Sequence, residues 1–482
     1  MEWLQAPDYW LTRAVLQTGL ALTYLVAFLV AVNQFRPLLG ERGLLPVPRF
    51  LGQVSFLEAP SLFHLGYTDR RLLAVAWSGV ALSIAAVACV LAAGPSWVAM
   101  VVWFGLWVLY QSLVNVGQIF YSFGWETLLL EAGFLAIFLG AGATAPMWPL
   151  ILLFRWLVFR VEFGAGLIKL RGDRCWRDLT CLYYHHETQP MPNPLSWFFH
   201  HLPKPLHKFE VLGNFFAQLV VPFFLFAPQP VASIAGGVII VTQAWLVMSG
   251  NFSWLNFITM TLAVSALDDD ALRLVIPVQT PHLAPLPAWW QALSIGVTLL
   301  VLVLSYRPVR NLVSRRQLMN FSFDPFHLVN TYGAFGSVTK ERYEIIVEGT
   351  ADRTGAGGWT AYEFKGKPGD PRLVPRQFAP YHLRLDWLMW FAAFETPFHH
   401  RWFVAFMVKL LEGDRATLKL LRHNPFPAGP PDAVRANLYR YRFSTWAQLR
   451  SEGVWWVRTP VGDYLPPIVL DEAGNPARLA RE

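Results

Sequence analysis

Three ionisable residues lie at equal spacing within one apolar segment, ILLFRWLVFRVEFGAGLIKLRGDRCW. Arg155, Glu162 and Lys169 are seven residues apart. Seven residues make nearly two helical turns, so a helix would carry all three on one face, with about 10 Å between neighbours. Ionisable groups at membrane depth are costly and usually face a protein interior or a cavity. The spacing therefore predicts a buried polar seam, which is either a functional site or a structural ion-pair network.

The partners of this seam are expected on other helices, because its members are too far apart to pair within their own helix. Glu126 and Glu131, in the segment GWETLLLEAG, are candidate partners for Arg155 or Arg160. A lysine removed from water can act as a base or a nucleophile. Lys169 and Glu162 are therefore the candidate catalytic residues if the chain is an enzyme. The structural alternative is that Lys169 extends to the membrane interface near the helix end.

A polar segment follows this helix, CWRDLTCLYYHHETQPMPNPLSWFFHHLP. Its prolines predict a stiff, irregular loop over 171–210, which suits a binding surface. Cys175 and Cys181 either form a disulfide, which would require an oxidising compartment, or stay free thiols. The histidines of the loop show no convincing ligand spacing. The sequence therefore predicts no metal site and no cofactor.

The elements that must position these residues are predicted by composition and apolar runs. Hydrophobic residues make up 54% of the chain and charged residues 15%, against roughly 25% charged in average soluble domains. A spanning helix needs about 20 apolar residues, and the runs predict about nine helices. They cover roughly 11–32, 72–93, 97–116, 126–143, 148–170, 211–227, 230–249, 252–267 and 289–306. The net charge of +7 fits basic loops beside a bilayer, and no motif indicates nucleic-acid binding.

A composition shift near residue 320 predicts a domain boundary. We expect a multi-span domain over 1–320, a soluble β-rich domain over 321–467 and a flexible tail over 468–482. Alternating apolar residues predict strands near 344–348, 359–365, 437–443 and 454–458, whereas 383–412 is more helical. The predicted fold class is thus a polytopic α-helical membrane protein with a C-terminal soluble β-rich domain.

Long, unusual strings between about 117 and 465 resemble those of a known family. They are FGAGLIKLRGDRCWRDLTC, HHETQPMPNP, GNFSWLNFITM, NTYGAFGSVTKERYE, YEFKGKPGDP, APYHLRLDWLMWFAAF, HNPF and YRYRF. In this order they resemble the lipase maturation factor family. Its best-known members sit in the endoplasmic reticulum membrane, where homodimeric lipases such as lipoprotein lipase need them to reach an active state. The resemblance implies a maturation or assembly factor for a lipase-like client protein rather than an enzyme.

The same resemblance makes the 171–210 loop and the C-terminal domain candidate client-facing surfaces. The candidate client-binding residues of the loop are Arg171, Asp173, Trp176, Arg177, Asp178, His185, Glu187 and Asn193. The resemblance also implies that the loop and the C-terminal domain lie in a lumen or periplasm. The expected location is an endoplasmic reticulum membrane or, because no long N-terminal extension is present, a bacterial inner membrane.

A second resemblance concerns the end of the charged helix. The string Ala165-Gly166-Leu167-Ile168-Lys169-Leu170 is similar to one in vitamin K-dependent γ-carboxylase, whose second lysine is catalytic and matches Lys169. The first lysine of that string is Ile168 here. This resemblance implies the alternative function, a membrane enzyme that acts on a lipid or quinone-like substrate through Lys169. A redox role of Cys175 and Cys181 is a third hypothesis.

Overall fold

The computed structural model describes residues 4–91, 94–352 and 354–479. The first part of the chain is helical, and the second part combines a β-sheet with short helices. The helices of the first part are α1 (Trp10–Leu39), α2 (Val47–Leu51), α3 (Asp69–Leu91), α4 (Ser96–Val116), α5 (Gly124–Ala136), α6 (Trp148–Arg171), α7 (Arg174–Arg177), α8 (Leu182–Thr188), α9 (Ser196–His200), α10 (Lys204–Leu219), α11 (Val231–Ser249), α12 (Leu255–Ala263), α13 (Asp269–Arg273), α14 (Ala288–Leu304) and α15 (Tyr306–Val313).

Among the described residues, six helical segments are long and apolar enough to cross a membrane. They are Pro7–Leu39, Asp69–Val90, Ser96–Val116, Lys204–Phe226, Val231–Ser249 and Ala288–Val313. Each has 19 residues or more, close to the roughly 20 that a hydrocarbon core about 30 Å thick requires. These segments confirm the predicted class of a polytopic helical membrane protein.

The other three predicted spans take different forms. The run 148–170 is the 24-residue helix α6, which is long enough to cross but carries the charged residues. The runs 126–143 and 252–267 hold α5 and α12, of 13 and 9 residues, too short to cross alone at about 1.5 Å per residue. The first run is interrupted at Gly140, whose φ of +84° favours glycine. The second tightens into a 3₁₀ turn at Val264–Ala266.

The helical passes alternate in direction between two ends of the bundle. At one end, the Trp10 Nε1–H donates to the carbonyl of Gly142 at 2.7 Å, just before α6 begins. At the other end, the Gln34 Nε2–H donates to the carbonyl of His382 at 2.6 Å, in the C-terminal part. The 171–210 loop lies at this second end, because it follows α6. The bundle thus brings that loop against the C-terminal part.

Over the residues that the structure describes, the C-terminal part contains two antiparallel sheets and four α-helices. The strands are β1 (Phe321–Ser322), β2 (Asn330–Thr331), β3 (Arg342–Thr350), β4 (Thr360–Ala361), β5 (Ala433–Phe443), β6 (Trp456–Leu470) and β7 (Pro476–Arg478), and the helices are α16 (Arg384–Ala392), α17 (Arg401–Leu411), α18 (Arg415–Leu418) and α19 (Trp446–Glu452). Strand β1 pairs with β2, and the other five form one sheet in the order β4-β3-β5-β6-β7. In the centre, Arg342 lies opposite Tyr441 and Thr350 opposite Ala433. This sheet confirms the predicted β-rich C-terminal domain.

A flexible tail is expected from residue 468, whereas the structure has paired strands over most of its described part. Residues 468–470 complete β6, and β7 pairs with them as a hairpin. The turn closes because the Asp471 N–H donates to the carbonyl of Asn475 at 2.9 Å and Gly474 adopts a positive φ. Residues 480–482 lie outside the described part of the chain.

One continuous hydrophobic core runs through both parts of the chain. It includes Leu16 and Phe28 of α1, Trp387 of α16, and Val434 and Ile468 of the sheet. Burial of shared apolar surface is the main favourable contribution to such contacts. The sheet is therefore packed onto the bundle.

Candidate functional site

Helix α6 carries the predicted polar seam and faces α10 along its length. Pro149 stands in its first turn, where the missing N–H costs nothing. Arg155, Glu162 and Lys169 are all buried. Their hydrogen-bond partners on and just after α10 are Leu225, Gln218 and Asn214, in reverse order along the chain. The seven-residue spacing thus places the three side chains on one face, as expected for a straight helix.

Arg155 binds backbone carbonyls and contacts no carboxylate in the described residues. Its guanidinium donates to the carbonyls of Ser265 at 3.0 Å and Leu225 at 2.9 Å, and to the Tyr9 hydroxyl at 2.9 Å. Both carbonyls lie in 3₁₀ turns that end helical passes. A cation at the C-terminal end of a helix satisfies its free carbonyls and its dipole. Arg155 therefore joins two chain segments where they turn.

Glu162 and Lys169 are held by side-chain amides rather than by each other. Gln243 Nε2 donates to Glu162 Oε1 at 2.6 Å. Lys169 Nζ donates to Gln218 Oε1 at 2.8 Å and to Asn214 Oδ1 at 3.4 Å. Within the described ranges Lys169 makes no ion pair. The seam is thus a chain of hydrogen bonds that connects α6, α10 and α11.

The two carboxylates of α5 take different arginines. Glu131 forms a buried ion pair with Arg160, and it also accepts the Asn330 N–H at 2.9 Å and the Tyr332 hydroxyl at 2.8 Å. Of the two proposed partners for Glu131, the structure selects Arg160. Because these three groups converge on this carboxylate, it joins α5 and α6 to the segment around β2.

Glu126 pairs with an arginine that the sequence did not suggest. Arg384, in the first turn of α16, donates to Glu126 at 2.8 Å and to the carbonyl of Phe120 at 2.6 Å. Its guanidinium lies 3.4 Å from the ring centre of Tyr121. Neither Arg155 nor Arg160 reaches Glu126 in the described structure. The pair therefore links the helical bundle to the C-terminal domain.

The first half of the 171–210 loop is fixed to the segment before β3. Cys175 and Cys181 form a disulfide. Asp173 Oδ2 accepts the Val338 N–H at 2.8 Å, and Trp176 Nε1 donates to the carbonyl of Phe335 at 2.8 Å. The Trp176 ring also lies 5.5 Å from Lys169 Nζ, so it contacts the end of the polar seam.

The second half of the loop is fixed to the sheet and to α11. Asn193 donates to the carbonyls of Val247 and Met248, and Glu187 accepts the Phe443 N–H at 2.6 Å. Burial raises the pKa of the Glu187 carboxyl above its usual value. These contacts hold the loop closely on the protein interior.

His185 is enclosed in the same half of the loop. Its ring packs 5.1 Å from that of Phe335. Burial, with His186 and Lys169 nearby, lowers the pKa of His185 to about 3. The imidazole is therefore neutral at ordinary pH.

Three of the eight candidate client-binding residues have exposed side chains, namely Arg171, Arg177 and Asp178. Arg171 donates to the carbonyl of Leu312 and to Gln317, both at 2.9 Å. Asp178 forms an exposed ion pair with Arg174 at 3.2 Å. Trp176, His185 and Asn193 are buried and point away from solvent. A binding partner at this surface would meet Arg177 and Asp178 first.

The fold and these contacts define a polytopic helical membrane protein with a β-sheet domain docked on one end of its bundle. The chain belongs to the lipase maturation factor family. The family model described as the lipase maturation factor transmembrane domain matches residues 11–274, and the model of the lipase maturation factor C-terminal domain matches 328–466. Together they cover most of the chain and confirm the resemblance found in the sequence.

Several known proteins are similar over nearly the whole chain. Human lipase maturation factor 1 is 44% identical over 513 residues, which cover 97% of this chain and 90% of that protein. Lipase maturation factor 2 of Xenopus laevis is 30% identical, covering 96% and 83%, and human lipase maturation factor 2 is 28% identical with the same coverage. No solved structure matches this chain.

Proposed function

We propose that this protein is a membrane-embedded maturation or assembly factor for client proteins of the lipase type. The observation that carries the proposal is the 44% identity to human lipase maturation factor 1 over 97% of this chain. The described structure supports it, because the buried charged residues of the bundle serve as joints between segments. A protein whose segments are joined in this way is rigid, and a rigid surface is suited to binding a client protein.

The proposed client-facing surface lies at the end of the bundle that carries the C-terminal domain. It comprises the exposed loop residues Arg171, Arg177 and Asp178. The proposed compartment is an endoplasmic reticulum lumen or a bacterial periplasm, with the protein in the adjoining membrane. The disulfide between Cys175 and Cys181 supports an oxidising compartment on this side.

The proposal is tested by expressing the chain in cells that lack their own lipase maturation factors, together with a secreted homodimeric lipase. We expect the ratio of lipase activity to lipase protein in the medium to rise well above that of cells with an empty vector. An unchanged ratio, with the chain inserted and stable, would contradict the proposal.

The loop surface is tested with Arg177→Ala combined with Asp178→Ala. Both side chains are exposed, so the fold should tolerate their loss. We expect the specific activity of the lipase to fall several-fold at an unchanged level of this protein. Arg70→Ala, another exposed arginine, is the matched control and should leave lipase activity unchanged. If the lipase has the same specific activity with both variants, the loop is not part of the client-facing surface.

A membrane enzyme remains the second candidate function, because Lys169 is buried and its partners among the described residues are amides and an aromatic ring, which is unusual for a lysine. Lys169→Met keeps the length of the side chain and removes its amine. An enzyme that uses Lys169 would lose all activity, whereas a maturation factor would keep lipase activation as long as the variant inserts and folds. The ratio of lipase activity to lipase protein in the medium distinguishes the two functions. Gel filtration in detergent checks that the variant is inserted and folded.

A further inference from the structure

Three potential metal ligands lie together where the 171–210 loop meets a membrane helix. His186 comes from α8, and His207 and Glu210 come from the first two turns of α10. Their ligand atoms all lie within 4.8 Å of one another. His207 Nδ1 is 3.5 Å and His186 Nε2 3.8 Å from Glu210 Oε2. Ligands about 2.0–2.1 Å from one tetrahedral ion are about 3.3 Å apart, so a small contraction would bring all three onto one ion.

The ligand atoms have no other partner in the described structure. Both ring nitrogens of His186, the Nδ1 of His207 and the Oε2 of Glu210 are buried without a hydrogen bond. The residues His186 and His207 are 2% and 1% exposed. Buried polar atoms are nearly always hydrogen-bonded in proteins. Several such atoms directed at one space indicate a missing ligand.

The outer atoms of two of these side chains, Glu210 and His207, are fixed as they are in metal sites. Trp245 Nε1 donates to Glu210 Oε1 at 2.6 Å, which leaves Oε2 directed at the histidines. The His207 Nε2–H can donate to the carbonyl of His200 at 3.4 Å, which leaves the lone pair of Nδ1 free. A hydrogen bond on the far atom of a ligand sets its tautomer and orientation.

We propose that His186, His207 and Glu210 bind a divalent transition-metal ion, with Zn²⁺ as the matching ion. Two imidazoles and one carboxylate form a known zinc ligand set and leave one coordination position for water or another ligand. The ion would join α8 to α10 and fix the loop on the membrane helix. The sequence predicts no metal site, because the ligands of this cluster come from two helices and share no recognisable spacing.

The test uses the full chain, purified in detergent, stripped with a chelator and titrated with Zn²⁺ or Co²⁺ alone. We expect roughly one ion per chain and, for Co²⁺, the visible absorption of a low-symmetry site. His207→Ala and Glu210→Gln should each weaken binding at least about 100-fold, and Trp245→Phe about 10-fold, since it removes only the orienting hydrogen bond.

The matched control is His185→Ala, which removes a neighbouring buried histidine whose ring packs on Phe335 and on the ring of His186 but which is not one of the three ligands. It should keep the affinity of the wild type. The proposal is overturned if the stripped wild-type chain takes up no ion, or if the ligand variants bind as the wild type does. The cluster would then be a contact of two histidines with Glu210 that holds no metal. The wild-type titration decides this even if a variant fails to fold.

Discussion

At the scale of single residues, the sequence predicted which groups are buried better than it predicted their partners. The seven-residue spacing correctly placed Arg155, Glu162 and Lys169 on one face, because helical geometry depends only on local sequence. The partner Arg384 of Glu126 lies 258 residues away, so no local pattern could reveal it. The amides of Gln218 and Gln243 were missed for the same reason. The only local indication of these hydrogen-bond partners was the presence of a glutamine in an otherwise apolar helix.

The Glu131–Arg160 pair should be essential for stability. Glu131→Gln leaves the Arg160 guanidinium buried without a counter-charge. We expect a loss of about 3–5 kcal/mol, because an unpaired buried charge is costly. The midpoint of thermal unfolding in detergent measures it. The double variant Glu131→Gln, Arg160→Met should recover part of the loss, and a stable single variant would refute the role of the pair.

Asp386 should make stability depend on pH. Burial raises the pKa of this carboxyl from 3.8 to about 6. Between those values the folded state holds a proton that the unfolded state releases, so stability falls as the pH rises through this window, by about 3 kcal/mol in all, and is then constant. Asp386→Asn should lack this fall. Unfolding midpoints of the two proteins from pH 4 to pH 8 provide the measurement, and parallel curves would disprove the prediction.

At the scale of elements, the length of the helices was the property that the sequence predicted least well. The apolar runs 126–143 and 252–267 met the requirement for a span, yet α5 and α12 stop early. At the end of α12 the chain turns where Arg155 donates to the carbonyl of Ser265, which is a tertiary contact. Hydropathy depends on local composition alone, so it cannot predict where such a contact ends a helix. The strands of the sheet were easier, because alternation is a local property.

Close packing of α1 on α5 depends on a glycine. A Cβ on Gly133 would lie 1.8 Å from the hydroxyl oxygen of Tyr24, which donates to the carbonyl of Leu129 at 3.0 Å. Gly133→Ala should therefore destabilise the protein by about 1–3 kcal/mol. Gly213→Ala on α10 is the matched control, since nothing lies within 4 Å of its added Cβ, and it should be neutral or slightly stabilising. Thermal unfolding should give a lower midpoint for Gly133→Ala than for Gly213→Ala. Equal midpoints would contradict the role of Gly133 in packing.

The disulfide tests the redox hypothesis at the level of the loop. Replacing Cys175 and Cys181 with Ser opens a short covalent loop and should cost about 2 kcal/mol, chiefly through the unfolded state. We expect lipase activation to persist at permissive temperature, because Trp176 and Asp173 still anchor the segment. Abolished activation in a folded double variant would favour a redox role instead.

At the scale of the whole molecule, the order of the passes and the sheet domain followed from the sequence, but the docking between them did not. Composition separates apolar from mixed segments and so predicts a bundle and a domain. Docking depends on pairs that are distant in the chain, such as Arg342 with the loop carbonyls of Glu187 and Pro190 at 3.0 and 3.1 Å. The loop between α6 and α10 thereby becomes part of the interface.

Arg384 should hold the two parts of the molecule together. Arg384→Ala leaves Glu126 buried without its counter-charge and removes the contact with Tyr121, so we expect a loss of about 3–5 kcal/mol. Because one core spans both parts, amide hydrogen exchange should rise together in α16 and at the adjoining ends of α1 and α5. Arg440→Ala is the matched control, since its ion pair with Glu341 is exposed, and it should change exchange only within the sheet. Faster exchange confined to α16 in the Arg384 variant would mean that the bundle and the domain are not coupled through this pair.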